Sequence, residues 1–381
     1  MCRMLISPTN PPGARRWRAA RDPLRPACRA AARRRPAGGP VAGPRHARFH
    51  SAHPCPGGHT MTTRRILLGA GLAAPFLLSG TARAQGYPSQ PIRLVCPYPP
   101  GATSDNVSRV MARALSARLG QTVVVENRAG AGGAVGTRHV AESKADGYTL
   151  LNASGGNFLI SPYLNEVGYH PLRDLAPVAM AGEAYSLIGV SAALPVKTLP
   201  ELIAYAKQHK GELNYASSGI GSTGHLRGAL LAEQAGFEAV HIPFPGSAAA
   251  VNSLLAGDCQ ILIDPVVAPN VQGGKVRAVA VVGSGRWDDF PDVPNITELN
   301  IGQDWPSSGW YGLFAPAGVP EPIIERLNAA YNDALAEPET AAALRRLGLK
   351  PEPTAPRQIS QRLAQDYAAS GATLQRLRIT A

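Results

Sequence analysis

Three polar, glycine-containing loops carry the residues whose types and spacing suit chemistry. The first is Pro97-Tyr98-Pro99-Pro100-Gly101-Ala102-Thr103-Ser104-Asp105. Small hydroxyl side chains, a glycine and the free N–H groups of a helix start make such a loop a cradle for an anion. The same residues also serve an ordinary capped turn. The second is Ser217-Ser218-Gly219-Ile220-Gly221-Ser222-Thr223-Gly224-His225. Its Gly219-x-Gly221-x-x-Gly224 spacing, with Glu238 19 residues after Gly219, matches a dinucleotide-binding fingerprint. Hydroxyls at Ser217, Ser218, Ser222 and Thr223 exceed what a pyrophosphate turn needs, and a bound carboxylate accounts for them better. The third is Asn152-Ala153-Ser154-Gly155-Gly156-Asn157, which also reads as a simple loop. Asp264 ends an apolar run, where it either faces a ligand or caps the next turn.

Catalytic arrangements are weaker. No Gly-x-Ser-x-Gly surrounds Ser222, so there is no nucleophile elbow. His225 at a helix start serves as a base or, more commonly, as a packed or capping residue. His139, His170, His209 and His241 are scattered without metal-ligand spacing, so neither a metal nor a cofactor is expected. Lys275-Val-Arg277 and Arg345-Arg346 read as solvated faces rather than a nucleic-acid footprint.

The elements that position these loops follow from the hydrophobic pattern. Strand runs are expected at 92–96, 122–126, 148–152, 184–191, 213–216, 238–242, 260–264, 276–282 and 311–315. Helices are expected from Ser104-Asp105, as the cap, to Leu119 with Gly120 as the stop, then at 136–143, 199–209, 225–236, 247–256, 322–336, 338–347 and 356–377. Thr198-Leu-Pro-Glu201 is a capping box with proline in the first turn. This alternation implies an α/β protein with parallel sheets flanked by helices. All three loops then follow strands, where open α/β sheets bind their ligands.

Charge separates the chain into unlike parts. The whole sequence of 381 residues has 38 Lys+Arg, 26 Asp+Glu and a net charge of +12. Residues 1–60 hold 12 of the arginines and one acid, Asp22, and Arg64, Arg65 and Arg83 follow. That leaves 23 basic and 25 acidic residues in 85–381, a net of −2, which gives no support to a basic footprint for nucleic acid. Residues 1–60, rich in Arg, Pro, Ala and Gly, read as disordered: an upstream start assigned in error, or an RNA-binding or transit arm. Met61-Thr-Thr-Arg64-Arg65, the 13-residue apolar run Ile66–Leu78 and Ala82-Arg83-Ala84 form a secretory signal peptide over 61–84, cut after Ala84. The paired arginines leave the export route open. Only Cys96 and Cys259 of the five cysteines remain after that cut. Both lie in strand-like runs, where unpaired thiols pack as small hydrophobes.

From Tyr87 onward the chain resembles the Bug family, the periplasmic solute receptors of tripartite tricarboxylate transporters. The resemblance rests on motifs in family order: Tyr87–Val95, Pro97–Asp105, Val123–Gly133, Asp146–Leu150, Leu213–Ser222, His241–Ser247 and Leu313–Gly318. It implies a two-lobed periplasmic binding protein fold of type II-like form, each lobe a sheet flanked by helices, with a hinged cleft between. It implies ligand contact at Tyr98, Ala102, Thr103, Ser104, Asp105, Ser217, Gly219, Ser222 and Thr223. It also implies contact at Ser154 and Asn157 in the third loop and at Asp264 on the cleft floor. The family commonly has Gly-Gly-Gly-Thr where this chain has Gly101-Ala102-Thr103-Ser104. It commonly has Asn at the position of Ile220 and Ser-Thr-His at Thr223-Gly224-His225. Ile220 is expected to make that wall more apolar, favouring a mono- or dicarboxylate with an apolar or aromatic portion.

The expectation is a periplasmic receptor, not an enzyme, built as lobe one (86–188 plus 310–381) and lobe two (189–309). It captures a small organic carboxylate, whether a di- or tricarboxylate, an acidic amino acid or an aromatic acid. It then delivers the ligand as a monomer to integral-membrane permease subunits. The competing readings are an exported hydrolase or dinucleotide-dependent oxidoreductase using Gly219–Gly224, and a sensor subunit for a membrane kinase.

Overall fold

A computed structural model describes residues 86–306 and 309–379. The expected leader (1–60) and signal peptide (61–84) lie outside the described residues. Two mixed sheets, each covered by helices, form the two lobes.

The first sheet begins with β1 (Ile92–Cys96), of which only Arg93 is exposed, as expected for a strand with helices on both faces. Next come α1 (Thr103–Leu119), β2 (Val123–Asn127), α2 (Ala134–Ala141) and β3 (Thr149–Ser154). A π-helical turn over Gly156–Ile160 leads into α3 (Ser161–Leu164), α4 (Pro171–Asp174) and β4 (Leu175–Ala184). The chain then builds the second sheet with β5 (Ser186–Ser191), α5 (Leu199–Gln208), β6 (Asn214–Ser217), α6 (Thr223–Ala235), β7 (Val240–Pro243) and α7 (Ser247–Ala256). It continues with β8 (Ile261–Asp264), α8 (Ala268–Gln272) and β9 (Val276–Val282). Finally β10 (Trp310–Pro316), α9 (Glu321–Ala336), α10 (Pro338–Arg346), β11 (Leu349–Lys350) and α11 (Pro356–Arg376) return to the first lobe.

The strand orders are β11-β4-β10-β3-β1-β2 and β7-β6-β8-β5-β9. The parallel expectation holds for only part of each sheet. β1 runs parallel to β2 and β3, and β6 to β7 and β8. β10 is antiparallel to β3 and β4, β11 to β4, and β5 to β8 and β9. Hydrophobic alternation specifies which residues are inside a strand and carries no direction, so these strands were open to misreading. The ten-residue β4 was missed altogether. Its alanines, Pro177 and Gly182 dilute the pattern, and its pairing with β10 is broken by register shifts.

The two sheets are joined at Tyr185, and the whole of β5 belongs to the second sheet. That passage falls before Ser186, earlier than the sequence-based boundary after Ile188. The returning chain lies beside it: the Ala184 N–H donates to the Gly309 carbonyl at 2.7 Å, and Trp310 pairs with Glu183. Cys96 and Cys259 are both buried and unpaired. No helix among the described residues is long and apolar enough to cross a membrane.

Under the second loop, three rings stack in the order Tyr215, His241, His225. Centroids lie 4.9 Å apart in the first pair and 3.8 Å in the second. The Gly221 N–H donates to His225 Nδ1 at 3.3 Å, and Ser217 Oγ bonds His241 Nε2 at 2.7 Å. Burial pushes His225 down to about 4. Burial also pushes His241 down to about 3, helped by its neighbour His225. Both rings are therefore neutral near pH 7, whereas an unfolded chain protonates each near 6.5. The unfolded state takes up protons first as pH falls. The stability from this stack is full above about 6.5 and is lost progressively through the range down to about 4 and 3. Thermal melts should accordingly show Tm falling across that window, with a shallower fall in His241→Gln. Identical pH profiles for the two proteins would refute the assignment.

Candidate functional site

The first loop is shaped by Asp105 rather than lined by it. α1 starts with Ala102 as an extended cap that makes no side-chain bond, so the expected Ser104-Asp105 cap lies inside the first turn. The Asp105 carboxylate accepts from the Gly101 N–H at 3.0 Å, Arg109 Nε at 2.9 Å and Asn127 Nδ2 at 2.9 Å. Burial acts to raise its pKa, but these hydrogen bonds and the Arg109 charge outweigh that and hold the carboxyl below its ordinary value. Gly101 has φ +83°, a left-handed turn that brings the chain into α1.

The third loop is held in the same way. Asn157 accepts from both the N–H and the hydroxyl of Ser154 at 2.8 Å, and donates to Thr137 Oγ1 at 2.7 Å. In the second loop, Ser217 Oγ donates to the Gly219 carbonyl at 3.0 Å and accepts from the Gly219 N–H at 3.1 Å. Ser222 caps α6 by accepting from the His225 N–H at 3.3 Å.

These loops meet between the sheets around a narrow cavity, with about 40 Å³ open to water-sized molecules. Of the twelve residues singled out from the sequence, seven border it: Tyr98, Ala102, Ser104, Ser154, Ser222, Thr223 and Asp264. Thr103, Asp105, Asn157, Ser217 and Gly219 do not border it and instead shape or join the loops. Ile220 is not in the wall either, so the expected apolar surface comes from Ile263, Pro265 and Trp310. Three helices start at this cavity: α1 at Ala102–Ser104, α6 at Ser222–Thr223 and α7 at Ser247. The dipoles of these helix starts favour an anion.

Asp264 does both things the sequence left open. Its carboxylate caps the following turn through the Val266 N–H at 2.9 Å, and it borders the cavity. It also accepts from Ser247 Oγ at 2.7 Å and, across the cleft, from Thr103 Oγ1 at 3.2 Å. Burial pushes its pKa up against these bonds.

Glycines let the lobes touch. A Cβ on Gly156 would lie 3.1 Å from Ser222 Cα and 3.2 Å from both Gly221 O and Thr223 N. One on Gly221 would lie 3.0 Å from Ser161 Cα, and one on Gly132 would collide with the Ile220 carbonyl. Gly221, with φ +78°, thus serves a tight seam against the first lobe, which is a role other than the dinucleotide turn its spacing suggested, and Gly219 adopts φ +127° in the loop.

Sequence reasoning missed Ser186, Arg227, Ser247 and Tyr311, which also border the cavity. Ser247 carries the same cue as Ser104, a small hydroxyl at a helix start, and was legible. Arg227 was not: an arginine inside a helix reads as a solvated charge. Here His225, Leu226, Arg227 and Gly228 are buried in succession, and Arg227 Nη1 donates to Ser186 Oγ at 2.6 Å. Burial lowers its pKa to about 10, which leaves it charged at neutral pH.

Comparison with known proteins agrees with this geometry. Residues 107–379 match the sequence profile of the tripartite tricarboxylate transporter family receptor, TctC. Protein BugT of Bordetella pertussis is 38% identical over 286 residues, covering 74% of this chain and 86% of BugT. The Rhodopseudomonas palustris protein Rpa4515, solved with adipate, superposes with a TM-score of 0.73 at 31% identity, covering 77% of this chain and 99% of that one. MatC from the same organism, solved with bound malate, gives 0.70 at 31% identity, covering 76% and 100%. The chain therefore belongs to the tripartite tricarboxylate transporter receptor family, the Bug type of periplasmic solute-binding protein, and is a receptor rather than an enzyme.

Proposed function

We propose that this protein captures a small organic carboxylate in the periplasm, after removal of residues 61–84, and delivers it to the permease subunits of a tripartite tricarboxylate-type transporter. The observation that carries this reading is the start of three helices at one cavity ringed by Ser104, Ser154, Ser222, Thr223 and Ser247. Such a site holds carboxylate oxygens by N–H groups, hydroxyls and ordered water. Relatives solved with adipate and with malate are consistent with it. Trp310 from the first lobe and Ile263 and Pro265 from the second, lining the same cavity, suit a ligand that has an apolar or aromatic portion beside its carboxylate.

In this reading, residues 86–184 with 310–379 and residues 186–306 act as lobes that hinge where the chain crosses at Tyr185 and Gly309. The narrow cavity is the closed state. Opening admits ligand, and the Thr103–Asp264 hydrogen bond re-forms on closure. Only a ligand that favours the closed state shifts the equilibrium toward it.

A thermal-shift screen tests the ligand class. A bound carboxylate such as malate, adipate or benzoate at ~100 Kd should add ~2.7 kcal/mol of stability, and NAD should add none. A shift with NAD and none with any carboxylate would overturn the reading. Closure is tested at Gly156, whose Cβ position faces Ser222 and Thr223 across the seam. Gly156→Val should weaken carboxylate binding by about tenfold or more, equivalent to ~1.4 kcal/mol. Unchanged affinity would mean that the seam does not close on the ligand.

A further inference from the structure

Among the described residues, Arg227 is the only lysine or arginine that is buried, at 6% exposure. Among the described residues no carboxylate lies within ion-pair distance of it, whereas every arginine in an ion pair there keeps its side chain at least partly exposed. The two acids whose charges reach it are held by other groups. Glu183 pairs with Arg362 at 2.6 Å, and Asp264 accepts from Thr103, Ser247 and the Val266 N–H. A guanidinium has five N–H donors. Among the described residues it forms one hydrogen bond, from Nη1 to Ser186. The group borders the cavity, and the chain beside it is Gly309, where a Cβ would collide with Nη2. A buried, charged fork with open donors beside three helix starts is a carboxylate-binding arrangement.

We infer that Arg227 is the charged anchor of the ligand in this receptor, pairing directly with one carboxylate group, with Ser186 setting the angle of the guanidinium. This rests on the carboxylate reading above and deepens it. Helix starts and hydroxyls accept any electron-rich group, including an amide carbonyl, but a buried guanidinium discriminates in favour of a full negative charge. Asp264 on the same cavity limits the anions accepted: a second carboxylate has to point away from that wall. The ligand thus presents one carboxylate to Arg227 and either an apolar body or a remote second acid.

The test is calorimetric titration of the purified protein with malate, adipate and benzoate, and with malamide, adipamide and benzamide as uncharged counterparts. The wild type should bind at least one of the acids about a hundredfold more tightly than its amide. In Arg227→Met that ratio should collapse to below about tenfold, with the loss falling on the acid. Arg227→Lys keeps the charge but not the fork, and should lose affinity while keeping a preference for the acid. A merely structural arginine would weaken acid and amide alike and leave the ratio unmoved, which would overturn the inference while leaving the receptor's function intact. If the methionine variant does not fold, an Arg227→Lys protein with wild-type affinity overturns it equally. Failure of the wild type to bind any of the three acids would remove the carboxylate reading itself, and the anchor with it.

Discussion

On the proposed reading an anion has to be held by a body of slightly negative net charge, and that constraint would organise the structure. Long-range attraction is not available, since residues 85–381 carry about −2. The field must come from groups that act over a few ångströms. Helix starts supply it, because their first N–H groups have no partners within the helix and each dipole adds a partial positive charge. The starts of α1, α6 and α7 border one cavity, two of them from the second lobe and one from the first. Neither lobe alone completes the arrangement, so the same feature that favours an anion also favours closure.

The proposed closure would in turn set demands on residues away from the cavity. Asp264 gains a donor from the opposite lobe through Thr103, which offsets part of the cost of burying its charge. The seam beside it is backbone against backbone. Gly132, Gly156 and Gly221 stand where any side chain would hold the lobes apart. Asp105, Asn157 and Ser217 sit behind the loops and fix their shape, so they contribute through geometry rather than contact. Arg227 and Asp264 are the basic and the acidic side chain of a lining otherwise rich in hydroxyls and helix starts, and Arg227 is its one cation. Burying an unpaired guanidinium costs several kcal/mol, on the order of what a bound carboxylate would return.

Most of the architecture was legible because its signals are local. The span of β1, Gly120 after α1, the Thr198 cap of α5 and the span of α7 each follow from short patterns. The three loops were found by the same logic, as hydroxyls and glycines between a strand and a helix. What was not legible depends on the partner of each element. Strand direction in β5 and β10 is set by where the chain returns, and β4 is recognisable as a strand only beside β10. The roles of Thr103 and Arg227 are properties of the folded neighbourhood, since Asp264 lies 161 residues from Thr103 and Ser186 lies 41 residues from Arg227. Ile220 shows the converse: a side chain judged by its place in a motif turned out not to border the cavity.

The central claim is that helix starts from both lobes grip a carboxylate in the closed cleft. A crystal structure of the protein grown with whichever of malate, adipate or benzoate stabilises it most tests this directly. The account predicts carboxylate oxygens within hydrogen-bond distance of the N-terminal N–H groups of α1 and α6, with Thr103 still bonded to Asp264. A ligand whose carboxylate faces solvent, or one held by a single lobe with the cleft open, would contradict it.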